Sequence, residues 1–317
     1  MRQIRAELAT LNRPLTWAVI AAAGVFCVLL AIGGASNARQ GMLGSGRQPA
    51  SCAVLKLQAG PDCDHVQAVQ RERMAAERAN STAEATATAA QLDPVAAGAE
   101  AAGLMASLPG VIALALLAGG HVGGEWSGRT LKNLLIQNGR RWRILAAKLV
   151  SLWLAAVAAT CVCWACLAVA GPVIRRADHL PDPHQSTGAA LAWASSHIGR
   201  SLLVLAAFAA IGLLAGVITR GTIGTAAATT GAVIAMLIAA TLPGLGRWTP
   251  ATWVQGWMGF AVGQGSVTTL PDNFWSRFIS SGGAPPSHEV GLVGVLALLF
   301  TCALTSMWVF QRMDVTG

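Results

Sequence analysis

The residues best equipped for chemistry lie in one stretch, HVGGEWSGRTLKNLLIQNGRRWRILAAK at positions 121–148. It gathers Arg129, Lys132, Arg140, Arg141, Arg143 and Lys148 around a single acid, Glu125. So many cations beside one carboxylate suit binding rather than catalysis, because each can contribute about 1 kcal/mol near anionic lipid or grip an acidic partner. Other reactive side chains cluster without converging. In CVCWAC, Cys161 and Cys163 would point about 200° apart on a helix, so the run cannot bring three thiolates to one metal, and small packing residues explain it better. Asp178, His179, Asp182 and His184 in RRADHLPDPH have ligand chemistry, but Pro181 and Pro183 favour ordinary turns there. HEVGL at His288 lacks the second histidine of a zinc protease, and the chain has no Gly-x-Ser-x-Gly elbow and no Gly-Lys dipeptide of a phosphate-binding loop. Neither a catalytic residue nor a metal ligand is expected, so the chain reads as no enzyme, and any ATP would be hydrolysed by a separate protein.

The elements that must hold this stretch are apolar. Hydrophobic residues make up 54% of the chain and charged residues 11%, and the apolar positions come in unbroken runs. A bilayer core of about 30 Å needs roughly 20 helical residues. Six runs meet that length, at about 16–35, 103–120, 149–171, 201–219, 222–245 and 290–310, and none contains Asp, Glu, Lys, Arg or His. The fold class is therefore an all-α polytopic membrane protein with six transmembrane helices. It forms a single domain over 1–317, with a large first extracellular loop at 36–102 and a cytoplasmic segment at 121–148. The absence of ionisable groups from the runs argues against proton relays and voltage sensors. The first run is too long for the apolar core of a cleaved signal.

Charge asymmetry orients the spans, since cytoplasmic loops retain Lys and Arg. With both termini inside, that side holds Arg2, Arg5, Arg13, the six cations of the charged stretch, Arg220 and Arg312, against only Glu7, Glu125 and Asp314. The net charge of +8 thus reflects topology and not nucleic-acid binding, which would need basic and aromatic residues on a soluble surface. Cys52 and Cys63 fall together in the first outer loop, where an oxidising exterior permits a disulfide; two reduced thiols are the alternative. The same loop carries strong helix formers over 66–93 without Gly or Pro, so it contains an exposed helix, either simply solvated or docking something. Trp253 and Trp257, at i and i+4 after Pro250, predict a short interfacial or re-entrant helix that anchors the chain or touches cargo. Gly212 and Gly216 predict a close helix contact, within the chain or across a dimer seam. Pro109 and Pro243 would kink the second and fifth spans.

Within the charged stretch, Leu131, Leu134 and Leu135 recur at i, i+3 and i+4, so a helix from about 125 to 137 gathers them on one side. Asn138-Gly139 ends it. The product is a short amphipathic helix at the cytoplasmic surface, leading into the third span. By physics alone it could be a lipid anchor, with Trp126 and Trp142 at the interface.

The pattern GGEWSGRTLKNLLIQNGRRWRILAAKLV resembles the segment after the second span of ABC-2 family permeases, the membrane subunits of ATP-driven exporters, including those linked to bacitracin and lantibiotic self-protection. Gly124 and Glu125 match the family's Gly-Glu. Thr130, Leu131, Lys132, Leu134 and Leu135 match its helix, Arg140 or Arg141 its arginine, and Lys148 the lysine opening the third span. Arg129 departs from the pattern, which usually joins Gly directly to Thr, and Gly139 stands where Pro or Ser is common.

The resemblance implies a coupling helix that docks on an ATPase. Gly124, Glu125, Trp126, Thr130, Leu131, Lys132, Leu134 and Leu135 would do the coupling, and Arg140, Arg141 and Lys148 would position the helix. It also implies two ATPase chains carrying ATP and Mg, a second permease chain, identical or related, and membrane lipid around both. The expected location is a bacterial cytoplasmic membrane, and the expected work is export of an amphipathic or hydrophobic compound, as in multidrug or antibiotic resistance. A non-transporting membrane anchor or immunity protein, binding a toxin or signalling partner through its outer loops, is the alternative.

Overall fold

The computed structural model describes residues 7, 9, 14–44, 50–52, 54, 60–128, 141–182, 186–242, 246–259 and 286–312. Among them there are nine helices and no strand: α1 (Pro14–Gly44), α2 (Pro61–Gln91), α3 (Ala97–Ala106), α4 (Leu108–Ser127), α5 (Arg141–Ala177), α6 (Thr187–Thr219), α7 (Thr222–Ala240), α8 (Pro250–Met258) and α9 (His288–Arg312). Six of these, α1, α4, α5, α6, α7 and α9, are long and apolar enough to cross a membrane, which makes the chain a multi-pass membrane protein. Each of the six apolar runs overlaps one of these helices, but the second is split at Ser107 between α3 and α4, and the fifth outlasts α7, which ends at Ala240. Other ends differ because several helices run on past the first ionisable residue. Arg39 lies in α1, His121 and Glu125 in α4, Arg143, Lys148, Arg175 and Arg176 in α5, and His197 and Arg200 in α6. A charge ends an uninterrupted run in the sequence, but it does not end a helix whose backbone bonds continue and whose side chain finds a partner.

α6 is the centre of the bundle. Its glycines let α4 approach closely: a Cβ added at Gly212 would strike the carbonyl oxygen of Ala115, and one at Gly216 would lie 3.0 Å from that of Gly119. Gly119 in turn faces the Thr225 methyl of α7. The Gly212/Gly216 pair therefore packs within the chain, where close backbone contact replaces the hydrophobic drive that lipid removes.

Pro109 does not kink a continuous span. It sits in the first turn of α4, where a missing N–H costs nothing, and Ser107 turns the chain in extended conformation (ψ 169°) between α3 and α4. Every residue of α3 except Met105 is buried. The Ser201 hydroxyl donates to the Ala102 carbonyl at 2.7 Å, and the Trp164 indole donates to the Pro94 carbonyl at 2.9 Å. The fifth span, α7, ends at Ala240, before Pro243, which lies outside the described residues.

Packed on the C-terminal half of α1, α2 forms the exposed helix expected in the first loop. It opens with Pro61 and with Asp62 and Asp64 in its first turn, where carboxylates oppose the positive helix end. Its second half packs on α1 through buried Ala85 and Ala89, in one cluster with Ala31, Ala35 and Ala38, while Cys63 is the buried residue of its first half. Cys52 and Cys63 are joined by a disulfide, with Cα atoms 5.9 Å apart. The tryptophan helix is α8, and it lies on α9. A Cβ at Gly294 would fall on the Trp253 indole, while Trp257 stacks on His288 at 4.4 Å and donates to the Arg200 carbonyl at 3.1 Å.

Candidate functional site

The final turns of α4 place side chains on two sides. At 100° per residue, His121 and Glu125 share one face, and Gly119, Gly123 and Trp126 share a nearly opposite one. Each face meets a different neighbour.

On the first face lies an ion cluster. Lys148, in the second turn of α5, is completely buried (0% exposed). Its ammonium donates to Glu125 Oε1 at 2.6 Å and to Glu7 Oε2 at 2.8 Å. His121 Nε2 lies 3.0 Å from the same Glu7 oxygen and 3.4 Å from the ammonium; with the carboxylate as acceptor, the ring nitrogen is the donor. Three separated segments are thereby tied at one point: the residues ahead of α1, the end of α4 and the start of α5. A buried ammonium is tolerated only when its protons are matched by acceptors, and two carboxylates supply them. Burial pushes the Glu7 carboxyl up, but the His121 hydrogen bond and the charge and hydrogen bond of Lys148 outweigh it and hold the group below its ordinary value.

Glu7, His121 and Glu125 also offer ligand atoms all within 4.8 Å of one another, a spacing that could hold a metal ion. The contacts of the Lys148 ammonium with all three put the protein's own cation among those atoms, so a metal would first have to displace it.

On the opposite face, the turn between α6 and α7 lies against α4. A Cβ at Gly123 would stand 2.9 Å from the Gly221 carbonyl oxygen and 2.8 Å from Thr225 Oγ1, and one at Gly124 would reach the Thr222 methyl at 3.7 Å. Thr219 and Thr225 hydroxyls pair at 2.8 Å across the turn. The Arg220 guanidinium sits 5.5 Å over the Trp126 ring, and Trp126 stands edge-on to buried Phe310 at 6.4 Å.

Of the residues singled out in the sequence, Gly124, Glu125, Trp126 and Lys148 are thus brought to one end of the bundle. Lys148 is not on the surface, as a positioning role at the interface would suggest; its pairing with two carboxylates draws it inside. Arg141 begins α5. Thr130, Leu131, Lys132, Leu134, Leu135 and Arg140 lie outside the described residues. Glu7 and His121 are not among the residues singled out; the one hint in the sequence is that Glu7 is a lone acid among Arg2, Arg5 and Arg13. Asp178 pairs with Arg39 and Asp182 with Arg175, each at 3.5 Å, and His184 lies outside the described residues. Cys161 is exposed and Cys163 buried, so their thiols do diverge.

A second feature is a cavity of about 300 Å³ between α1, the α3–α4 break and α5, lined by Ile20, Phe26, Leu104, Pro109, Leu117 and Ala156 among others. Comparison with known proteins finds no matching family model, no matching curated protein and no matching solved structure.

Proposed function

We propose that the chain is the permease subunit of an ATP-driven exporter of the ABC-2 kind, moving an amphipathic or hydrophobic compound outward across a bacterial cytoplasmic membrane. Two copies, or this chain and a related one, work with two ATPase chains that carry ATP and Mg. Both termini and the 121–148 stretch face the cytoplasm. The observation that carries this reading is the meeting of Glu125 and Lys148 at 2.6 Å. These residues lie near the two ends of the stretch that resembles a coupling element, and their contact roots its helices α4 and α5 against each other. A lipid anchor needs its cations in water or on phosphates, whereas Lys148 is wholly buried and serves as a strut. A rooted element can pass a rigid-body push into the spans. The apolar cavity at the broken α3–α4 helix supports an apolar cargo, since broken helices in transporters line such spaces.

The test is a double substitution, Lys132→Glu with Leu134→Asp, in cells and in purified complexes. The variant is expected to reach the membrane in normal amount but to lose ATPase-coupled export. Normal export by the variant would overturn the docking role. The anchor or immunity reading has one observation in its favour, the disulfide-joined outer segment with the exposed first half of α2. It would prevail if the solubilised chain captured no ATPase subunit and bound a partner through that helix.

A further inference from the structure

Arg220 and His179 are the two non-glycine residues with positive φ among the described residues, and Arg220 has φ 53° and ψ 22° as the left-handed cap of α6. A side chain is strained there by contact of its Cβ with the following carbonyl. Glycine ordinarily fills such a cap, yet here glycine is the next residue, Gly221, in extended backbone. Strain kept at one position invites a search for what the side chain does. This one reaches across to α4, with its guanidinium over the Trp126 indole at 5.5 Å.

We infer that Arg220 is a positioning residue, holding the end of α4 to the α6–α7 turn so that movement of the 121–148 stretch reaches α6 and α7 as well as α5. The ion cluster grips α4 by the His121/Glu125 face and binds it to α5 and the N-terminal segment. The Arg220 turn grips the nearly opposite face. Gly123 makes the second grip possible, because any Cβ there would push away the Gly221 carbonyl and the Thr225 hydroxyl. The contact continues inward through Trp126 to Phe310 of α9. A helix held from both sides moves with its neighbours or not at all. The consequence for transport rests on the exporter reading; the grip itself does not.

Arg220→Gly separates this role from simple stability, because it removes the guanidinium and installs the residue that the backbone favours. The purified full chain in detergent should unfold at an equal or higher temperature than the wild type. Hydrogen exchange over residues 122–128 should nonetheless speed up by about fivefold, the loss expected for one cation–π contact, and Arg220→Lys should restore part of the protection. In the complex with its ATPase, transport per ATP hydrolysed should fall by about fivefold or more, the lower range of ordinary coupling between sites. Unchanged exchange in Arg220→Gly would overturn the grip. Faster exchange with transport per ATP equal to wild type would overturn its part in transmission. Faster exchange in a chain that neither binds nor stimulates an ATPase would uphold the grip and remove the exporter reading.

Discussion

Lys148 and Glu125 stand 23 positions apart in the chain, yet their charged groups meet at 2.6 Å and no part of the lysine side chain reaches the surface. The pair closes the segment between α4 and α5 at its roots, as a clasp closes a loop of cord. Glu7 adds a third strand to the knot at 2.8 Å. Attraction of this kind is worth little in water but much where solvent is excluded, and the cost of leaving one member alone rises in step.

Replacing Lys148 by Met should therefore be severe. The substitution keeps much of the side chain's length and leaves the carboxylates of Glu7 and Glu125 facing each other without their shared cation. A loss of about 3–5 kcal/mol is expected, the usual cost of breaking a buried pair from one side, read as a lower denaturation midpoint in detergent. Adding Glu125→Gln should recover part of the loss, because the two residues act as a unit. Strict additivity of the two effects would show that the contact contributes nothing.

The Glu7 link sets a pH signature. Its carboxyl titrates below the ordinary range in the folded protein, so the folded chain binds fewer protons than the unfolded one as acid is added. The stabilisation is fully present above the unfolded-state value and is lost as pH falls through the lower, folded-state value. The difference in unfolding temperature between wild type and Glu7→Gln should thus hold steady from about pH 8 down to about pH 5 and shrink below that. A difference that vanished already near neutrality would mean that the carboxylate is not what holds the N-terminal segment.

Much of this architecture is legible in the chain itself, because membrane spans announce themselves by unbroken apolar length. The six runs, the exposed helix in the first loop and the tryptophan helix after Pro250 all follow from local composition and spacing. The runs mislead at their ends. His121, Glu125 and Lys148 look like the edge of the water phase, whereas mutual pairing lets their helices carry them inward. Glu7 is harder still, since its partners lie 114 and 141 positions away. No local pattern encodes such a contact, although a lone acid among Arg2, Arg5 and Arg13 is a hint. The break at Ser107 hides because α3 is as apolar as the span that it precedes.

Two glycines of similar sequence context should respond in opposite ways. Gly212 of α6 abuts the Ala115 carbonyl, so alanine there must force α4 and α6 apart; Gly33 of α1 has nothing within 4 Å of an added Cβ. Gly212→Ala should cost about 1–3 kcal/mol by overpacking, and Gly33→Ala should be neutral or gain up to about 1 kcal/mol from helix propensity. Unfolding midpoints of the two variants in one detergent provide the check. Equal tolerance at both sites would contradict the packing of α4 on α6.

The disulfide reports on sidedness as well as on stability. Cys52 and Cys63 close a short loop onto the first turn of α2. Closing such a loop stabilises by roughly 2–3 kcal/mol in the chain-entropy account, but the gain is confined to the start of α2, whose first half lies largely exposed. Cys52→Ser with Cys63→Ser should therefore leave the unfolding of the bundle unchanged while making residues 50–70 more easily cut by protease. In intact cells, a membrane-impermeant maleimide should label this pair only after reduction, because the bridge forms in an oxidising compartment. A cysteine placed near position 138 should stay unlabelled until the membrane is opened. Labelling of position 138 from outside would invert the topology and with it the assignment of the 121–148 stretch to the ATPase side.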